Sequence, residues 1–288
     1  MKESEIPEDW LERLNRKMGE DGVPHIRRPF EAIGIWTKDN GCSMRHDSPT
    51  AKAVFQWFKA RSPEGAHALG SLFTGVYFFD AYFWKVSVPV AYGTVQLNAL
   101  DQILELPKSL REQFLADRLL LTDYMALWVD AMDYGYGMED IRGGRKLAGF
   151  AAELAASGDQ GLRATVRLLT ESRQASPKAM ESAALATEIF LKAYLAAHAG
   201  LTESEAKTRL YHNLSKAADE CKRTGGSVEF DQIANMSSVF PPLGERYKGS
   251  GYDNRTLWLA YCVLQFTAVT FTRSLTDRDS RAMTLGVR

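Results

Sequence analysis

The sequence predicts a mainly α-helical protein with one small β-hairpin, and three observations support that class. Ser-Pro pairs at Ser48-Pro49, Ser62-Pro63 and Ser176-Pro177 each set a capping oxygen before a proline at the first helical position, where the missing N–H costs nothing. Apolar residues recur at three-to-four spacing, as at Leu110, Phe114, Leu121, Met125 and Trp128. Asp39-Asn40-Gly41 is a tight-turn signal, since Asn and Gly tolerate positive φ.

The elements follow in order. Residues 1–30 carry mixed charge, with an amphipathic turn at Trp10, Leu11 and Leu14 and a linker from Pro24 to Pro29. Residues 32–37 read as extended, so the hairpin is expected over 31–46. One helix starts at Pro49 and is loaded with Val54, Phe55, Trp57 and Phe58. A second is expected from Pro63 to about Trp84, and residues 86–93, with Pro89, read as a short extended connector or a broken helix. Helix resumes near Leu97, and the periodic segment after Pro107 is expected to end at Tyr134-Gly135-Tyr136-Gly137. Residues 140–156 and 161–172 read as two helices split by Ser157-Gly158-Asp159. A long helix from Pro177 to Ala199 places Leu185, Ile189, Leu191 and Leu195 on or near one face. Its Glu188 and Lys192 suit a surface ion pair, and Gly200 suits a left-handed stop. Thr202 and Glu205 form a capping box for the next helix, which carries His212-Asn213-Leu214. A polar break over 224–253 precedes an apolar closing helix through Trp258, Tyr261, Leu264, Val269 and Phe271. The expected division is a helical N-terminal region with the hairpin, 1–135, and a C-terminal helical bundle, 136–288.

Composition narrows the function classes. Of the 288 residues 45% are apolar and 25% charged, as in a soluble globular protein, and a net charge of −1 gives no global bias toward nucleic acid or anionic membrane. Cys42, Cys221 and Cys262 form no CxxC pair, which argues against a zinc knuckle or a disulfide framework. The opening MKESEIPEDW lacks the apolar core of a signal peptide, so a cytoplasmic location is expected. The apolar run 68–79 falls short of the roughly 20 residues a membrane helix needs, and no membrane partner is expected. Walker, dinucleotide-fold, GxSxG and HExxH motifs are all missing, and no cofactor or metal is implied.

The run Ala186–Leu195 (A-x-E-I-F-L-K-A-Y-L), the following His212-Asn213-Leu214, and Arg246-Tyr247 before the last helix together resemble the HEPN superfamily of helical bundles. The resemblance covers about 100 residues. It implies an up-and-down bundle that binds nucleotide or RNA, as a homodimer. Tyr211, His212, Arg246 and Tyr247 suit a small polar pocket, with aromatic stacking for a base and Arg for a phosphate; the alternative is that His212 and Arg246 lock the 224–253 connection onto the bundle. Family ribonucleases carry an Arg-x4–6-His motif in which the guanidinium faces phosphate and the imidazole does acid–base work. Residues 176–288 lack that spacing, so the expectation is a non-catalytic module. The one literal match, Arg61 to His67, lies in the N-terminal half and keeps a metal-independent endoribonuclease open as an alternative. A structural or partner-binding protein of stress or defence systems is the third reading.

Two further features concern charged residues. Asp80, flanked by Phe78, Phe79, Tyr82, Phe83 and Trp84, is a candidate buried acid, whereas Asp130 and Asp133 read as surface-facing. The cations Arg163, Arg167, Lys207, Arg209, Lys216 and Lys222 are interspersed with acids and read as ordinary solvated faces.

Overall fold

A computed structural model describes residues 6–41, 44, 48–63, 71–90, 96–172, 174–210, 212–225, 227–242, 244 and 251–281. Among them the protein is mainly helical with one two-stranded antiparallel hairpin. Contacts divide it into two compact units, Met1–Gly70 and Ser71–Arg288, whereas residue 135 falls inside a helix.

The N-terminal unit holds α1 (Glu8–Glu20), α2 (Arg28–Asp39) and α3 (Pro49–Ala60) around Leu11, Met18, Ile33, Val54 and Phe58. Ser48 caps α3 as expected, its Oγ accepting from the Ala51 N–H at 3.2 Å. Where the hairpin was expected over 31–46, residues 31–39 belong instead to α2, and residues 42, 43, 45 and 46 lie outside the described residues. Pro29, Ala32 and Ile33 face the core at helical spacing, and Trp36 meets Trp10 edge-on at 5.1 Å. Asn40 and Gly41 stop this helix: the Asn40 N–H bonds the Trp36 carbonyl, and Gly41 takes φ 58°.

The hairpin lies in the second unit, where a helix to Trp84 was expected. Strands β1 (Phe73–Phe79) and β2 (Tyr82–Val88) pair from Phe73↔Val88 to Phe79↔Tyr82. Asp80 and Ala81 form a two-residue turn with φ of 51° and 58°, the signs of a type I′ turn. The aromatic and β-branched residues of this stretch suit a pleated, half-buried surface. Residues 64–70, the start of the expected helix, lie outside the described residues. Tyr77, Val86, Leu100, Ile103, Phe114 and Tyr124 form a small core under the hairpin, roofed by a 3-10 turn (Ala99–Gln102) and α4 (Lys108–Ala116).

α5 (Arg118–Gly143) begins at Asp117, whose Oδ1 accepts from the Leu119 and Leu120 N–H groups. It runs through the Tyr134–Gly137 stretch expected to end it. A Cβ on Gly135 would stand 3.0 Å from Val88, so that glycine admits the hairpin instead of breaking the helix. α6 (Gly149–Thr170) likewise runs unbroken through Ser157-Gly158-Asp159. A Cβ on Gly158 would lie 3.0 Å from the Phe190 ring, and one on Gly161 would lie 2.8 Å from the Ala186 Cβ. These glycines let α6 lie close against α7 (Lys178–Ala199).

α7 is buried almost all round and packs on α6, α9 and the last helix. Gly200 ends it at φ 66°, and the Thr202–Glu205 capping box starts α8 (Glu203–Thr208). The expected second bundle helix is two pieces, because α9 (Leu214–Arg223) begins afresh with Asn213 as its cap. α10 (Glu229–Met236) and α11 (Asn254–Arg273), capped by Asp253, complete the unit. The core comprises Phe190, Leu191, Leu195, Tyr261, Leu264 and Phe271 among others, whereas Leu185, expected inward, is about half exposed.

Candidate functional site

Two of the three sequence pieces singled out above meet in space. Glu188 sits in the middle of α7 with 3% of its surface exposed, so the pair expected at the surface is a buried one. Its Oε1 accepts from Lys192 Nζ at 2.6 Å, and its Oε2 lies 2.9 Å from His212 Nδ1. His212 reaches inward because α8 stops at Thr208 and the chain turns sharply, with His212 at φ 53°, before Asn213 caps α9. The three residues of the His-Asn-Leu run thus have distinct tasks. His212 meets Glu188, Asn213 Oδ1 accepts from the Lys216 N–H at 2.9 Å, and Leu214 enters the core.

A carboxylate can only accept, so the bond to Glu188 puts a proton on Nδ1, and the neutral form of the ring then has its acceptor lone pair on Nε2. Lys192 balances the buried carboxylate, which would otherwise be costly to desolvate. The arrangement orients an imidazole at the edge of the bundle. At the Arg-x4–6-His spacing, the positions before His212 hold Glu205, Ala206 and Lys207. Arg209, three residues before His212, is bound to Glu220 at 2.6 Å and lies 3.8 Å from Glu205.

The other expected site residues fare differently. Tyr211, Arg246, Tyr247 and His67 lie outside the described residues. Arg61 pairs with Glu8 at 2.7 Å and stacks 4.1 Å over Trp57, within the N-terminal unit. Asp80 is not a buried acid. It is the exposed first residue of the hairpin turn, because its aromatic neighbours belong to the strands and leave the tip in water.

The buried acids lie elsewhere. Asp130 and Asp133, expected at the surface, are 5% and 1% exposed on α5. Arg273, at the end of α11, bonds Asp130 at 2.8 Å and Asp133 at 2.6 Å. Arg281 bonds Asp130 at 2.6 Å, and the Ser280 N–H donates to Asp133 at 2.9 Å. Burial drives the Asp130 carboxyl above its usual range, and the two arginines only partly restrain it. For Asp159 on α6, burial pushes upward too, but Tyr134 Oη (2.7 Å), Arg142 (2.6 Å) and Arg163 (2.9 Å) all donate to it and hold it below the usual range. Burial beside that carboxylate drives the Tyr134 phenol well upward. A carboxylate three residues from another on an otherwise apolar stretch was the available signal for Asp130 and Asp133. Their partners lie about 140 residues later and could not be paired with them by spacing.

The bundle cations are largely spoken for: Lys207 with Glu203, Arg209 with Glu220, and Lys222 with Asp231, each at 2.6 Å. Among the described residues no group of three or more His, Cys, Asp and Glu is placed to hold a metal ion, and no helix is long and apolar enough to cross a membrane. No protein-family model, curated protein or solved structure matches the chain.

Proposed function

We propose that the C-terminal unit is a HEPN-like module that binds a nucleotide or RNA without cleaving it. The supporting observation is the 2.9 Å bond between His212 and the buried Glu188, which joins two of the sequence pieces behind the resemblance and fixes the tautomer of an imidazole near the surface. With its proton on Nδ1 the ring accepts through Nε2, which suits a ribose hydroxyl as the donor. The nearest cation upstream, Arg209, is already committed to Glu220, which argues for binding over cleavage.

Thermal unfolding with nucleotides and with a short single-stranded RNA tests this. A ligand at about 100 times its Kd stabilises the protein by about 2.7 kcal/mol. Wild type is expected to gain that stability with at least one ligand, His212→Ala is expected to gain none, and neither should degrade the RNA. Cleavage by wild type that disappears in His212→Ala would replace binding by ribonuclease activity. Equal stabilisation of both proteins would remove His212 from the site.

A further inference from the structure

A separate cavity of about 420 Å³ opens in the C-terminal unit between β1, α5, α10 and α11. Three of its wall residues, Tyr77, Trp258 and Phe266, are aromatic, and Tyr77 meets Trp258 nearly edge-on with centroids 5.6 Å apart. That volume suits a molecule of one or two rings, and such walls favour a flat one.

The polar wall is specific. Gln265 is 1% exposed and lines the cavity, yet among the described residues its Nε2 has no acceptor. A relay fixes which end of the amide is which. The Val76 N–H donates to Tyr261 Oη at 3.0 Å, and Tyr261 Oη donates in turn to Gln265 Oε1 at 3.0 Å, leaving the NH2 unpartnered. The relay is built in: a Cβ on Gly75 would come within 3.0 Å of Tyr261 Oη, so glycine there makes room for the hydroxyl. Buried amides are nearly always bonded, so an unpartnered one in a cavity wall presents its donors to whatever fills the cavity, water or a ligand. Arg281 lines the same cavity, and among the described residues its Nε is also without a partner while its Nη2 holds Asp130.

Charge selects further. Arg273 and Arg281 are matched by the carboxylates of Asp130 and Asp133, and Asp123 adds an exposed carboxylate to the lining. Among the described residues of the lining, an anionic ligand would meet no cation without a carboxylate partner. We propose that this cavity binds a neutral, flat heteroaromatic molecule that turns a carbonyl or ring-nitrogen edge to Gln265 and Arg281. The site is distinct from His212 and stands or falls without it.

The test titrates the full chain with 2-pyridone, uracil and quinazolin-4-one as neutral probes, and with benzoate and uridine monophosphate as anionic ones. Tryptophan fluorescence and the Gln265 side-chain amide resonance are followed. At least one neutral probe should saturate, move that resonance, and bind about tenfold more weakly to Gln265→Glu, which keeps the Tyr261 acceptor but loses the donors. Arg281→Gln, at the edge of the fold, should lose a similar factor, and it remains informative if Gln265→Glu unfolds. Lys207→Ala, an exposed residue, should bind as wild type. No saturable binding by any neutral probe up to its solubility, or binding that leaves the Gln265 resonance and both variants unaffected, would overturn the proposal. So would anionic probes that bind as tightly as neutral ones.

Discussion

Replacing Asp159 by Asn removes one charge from a carboxylate that accepts three hydrogen bonds, from Tyr134, Arg142 and Arg163, at 2.6–2.9 Å. Breaking a fully buried ion pair costs about 3–5 kcal/mol, because the surviving charge is left uncompensated. Here the arginine side chains are 43% and 32% exposed and can turn part of their charge to water, so the cost is smaller. The fully buried Tyr134 cannot escape, but Asn keeps one oxygen for its hydroxyl. Together these place the loss at about 2–3 kcal/mol. For a unit of this size that lowers Tm by about 5–10 °C. The pH dependence follows from the direction of the shift. A carboxyl held below its unfolded value stabilises the fold above the unfolded pKa and loses that contribution as pH falls through the folded one. The gap between wild type and Asp159→Asn should therefore be flat from about pH 7 to 5 and shrink below about pH 4. Calorimetric melts across that range decide it. A Tm drop of under about 1 °C at neutral pH, or a gap that widens in acid, would refute the reasoning.

Other expectations follow from local geometry. Ala81→Gly should stabilise the second unit by about 0.5–1 kcal/mol in urea melts, since Ala81 occupies the left-handed region at φ 58° and glycine does so without strain. Gly161→Ala should destabilise by about 1–2 kcal/mol, because its Cβ would stand 2.8 Å from that of Ala186, outweighing the gain in helix propensity. Gly34→Ala, where a Cβ meets nothing within 4 Å, should instead stabilise α2 by about 0.5–1 kcal/mol. Burial pushes the Cys262 thiol up to about 12 and the Cys221 thiol higher still. At about pH 8 both should resist iodoacetamide in the native protein and react on unfolding, as read by peptide mass mapping.

Several residues whose task is local were legible in the sequence, although α7 is capped at Pro177 without a side-chain bond and not by Ser176. Ser48, the Thr202–Glu205 box and Gly200 act on backbone within a few positions, and each does what its chemistry suggests. The hairpin was legible as an element but not in place. Asn40-Gly41 serves as a helix stop as readily as a hairpin turn, and an apolar aromatic run such as 73–79 has no period that separates buried helix from strand. Gly135 and Gly158 looked like breaks because a glycine needed for close packing has the same local signature as one needed for a turn. Of the candidate site, Glu188, Lys192 and His212 were visible as residues. Their meeting depends on the chain reversal between α8 and α9, which brings together groups 24 positions apart. Gln265 gave no signal at all, since its significance rests on what its neighbours leave unbonded.

The clamp on α5 also constrains how the protein is made. Asp130 and Asp133 emerge from the ribosome about 140 residues before Arg273, Ser280 and Arg281, which neutralise them. Until those residues appear, α5 cannot sink into its final position without stranding two negative charges away from water. The second unit must therefore wait in a wetter, looser form through most of its own synthesis, locking only when the stretch after α11 arrives.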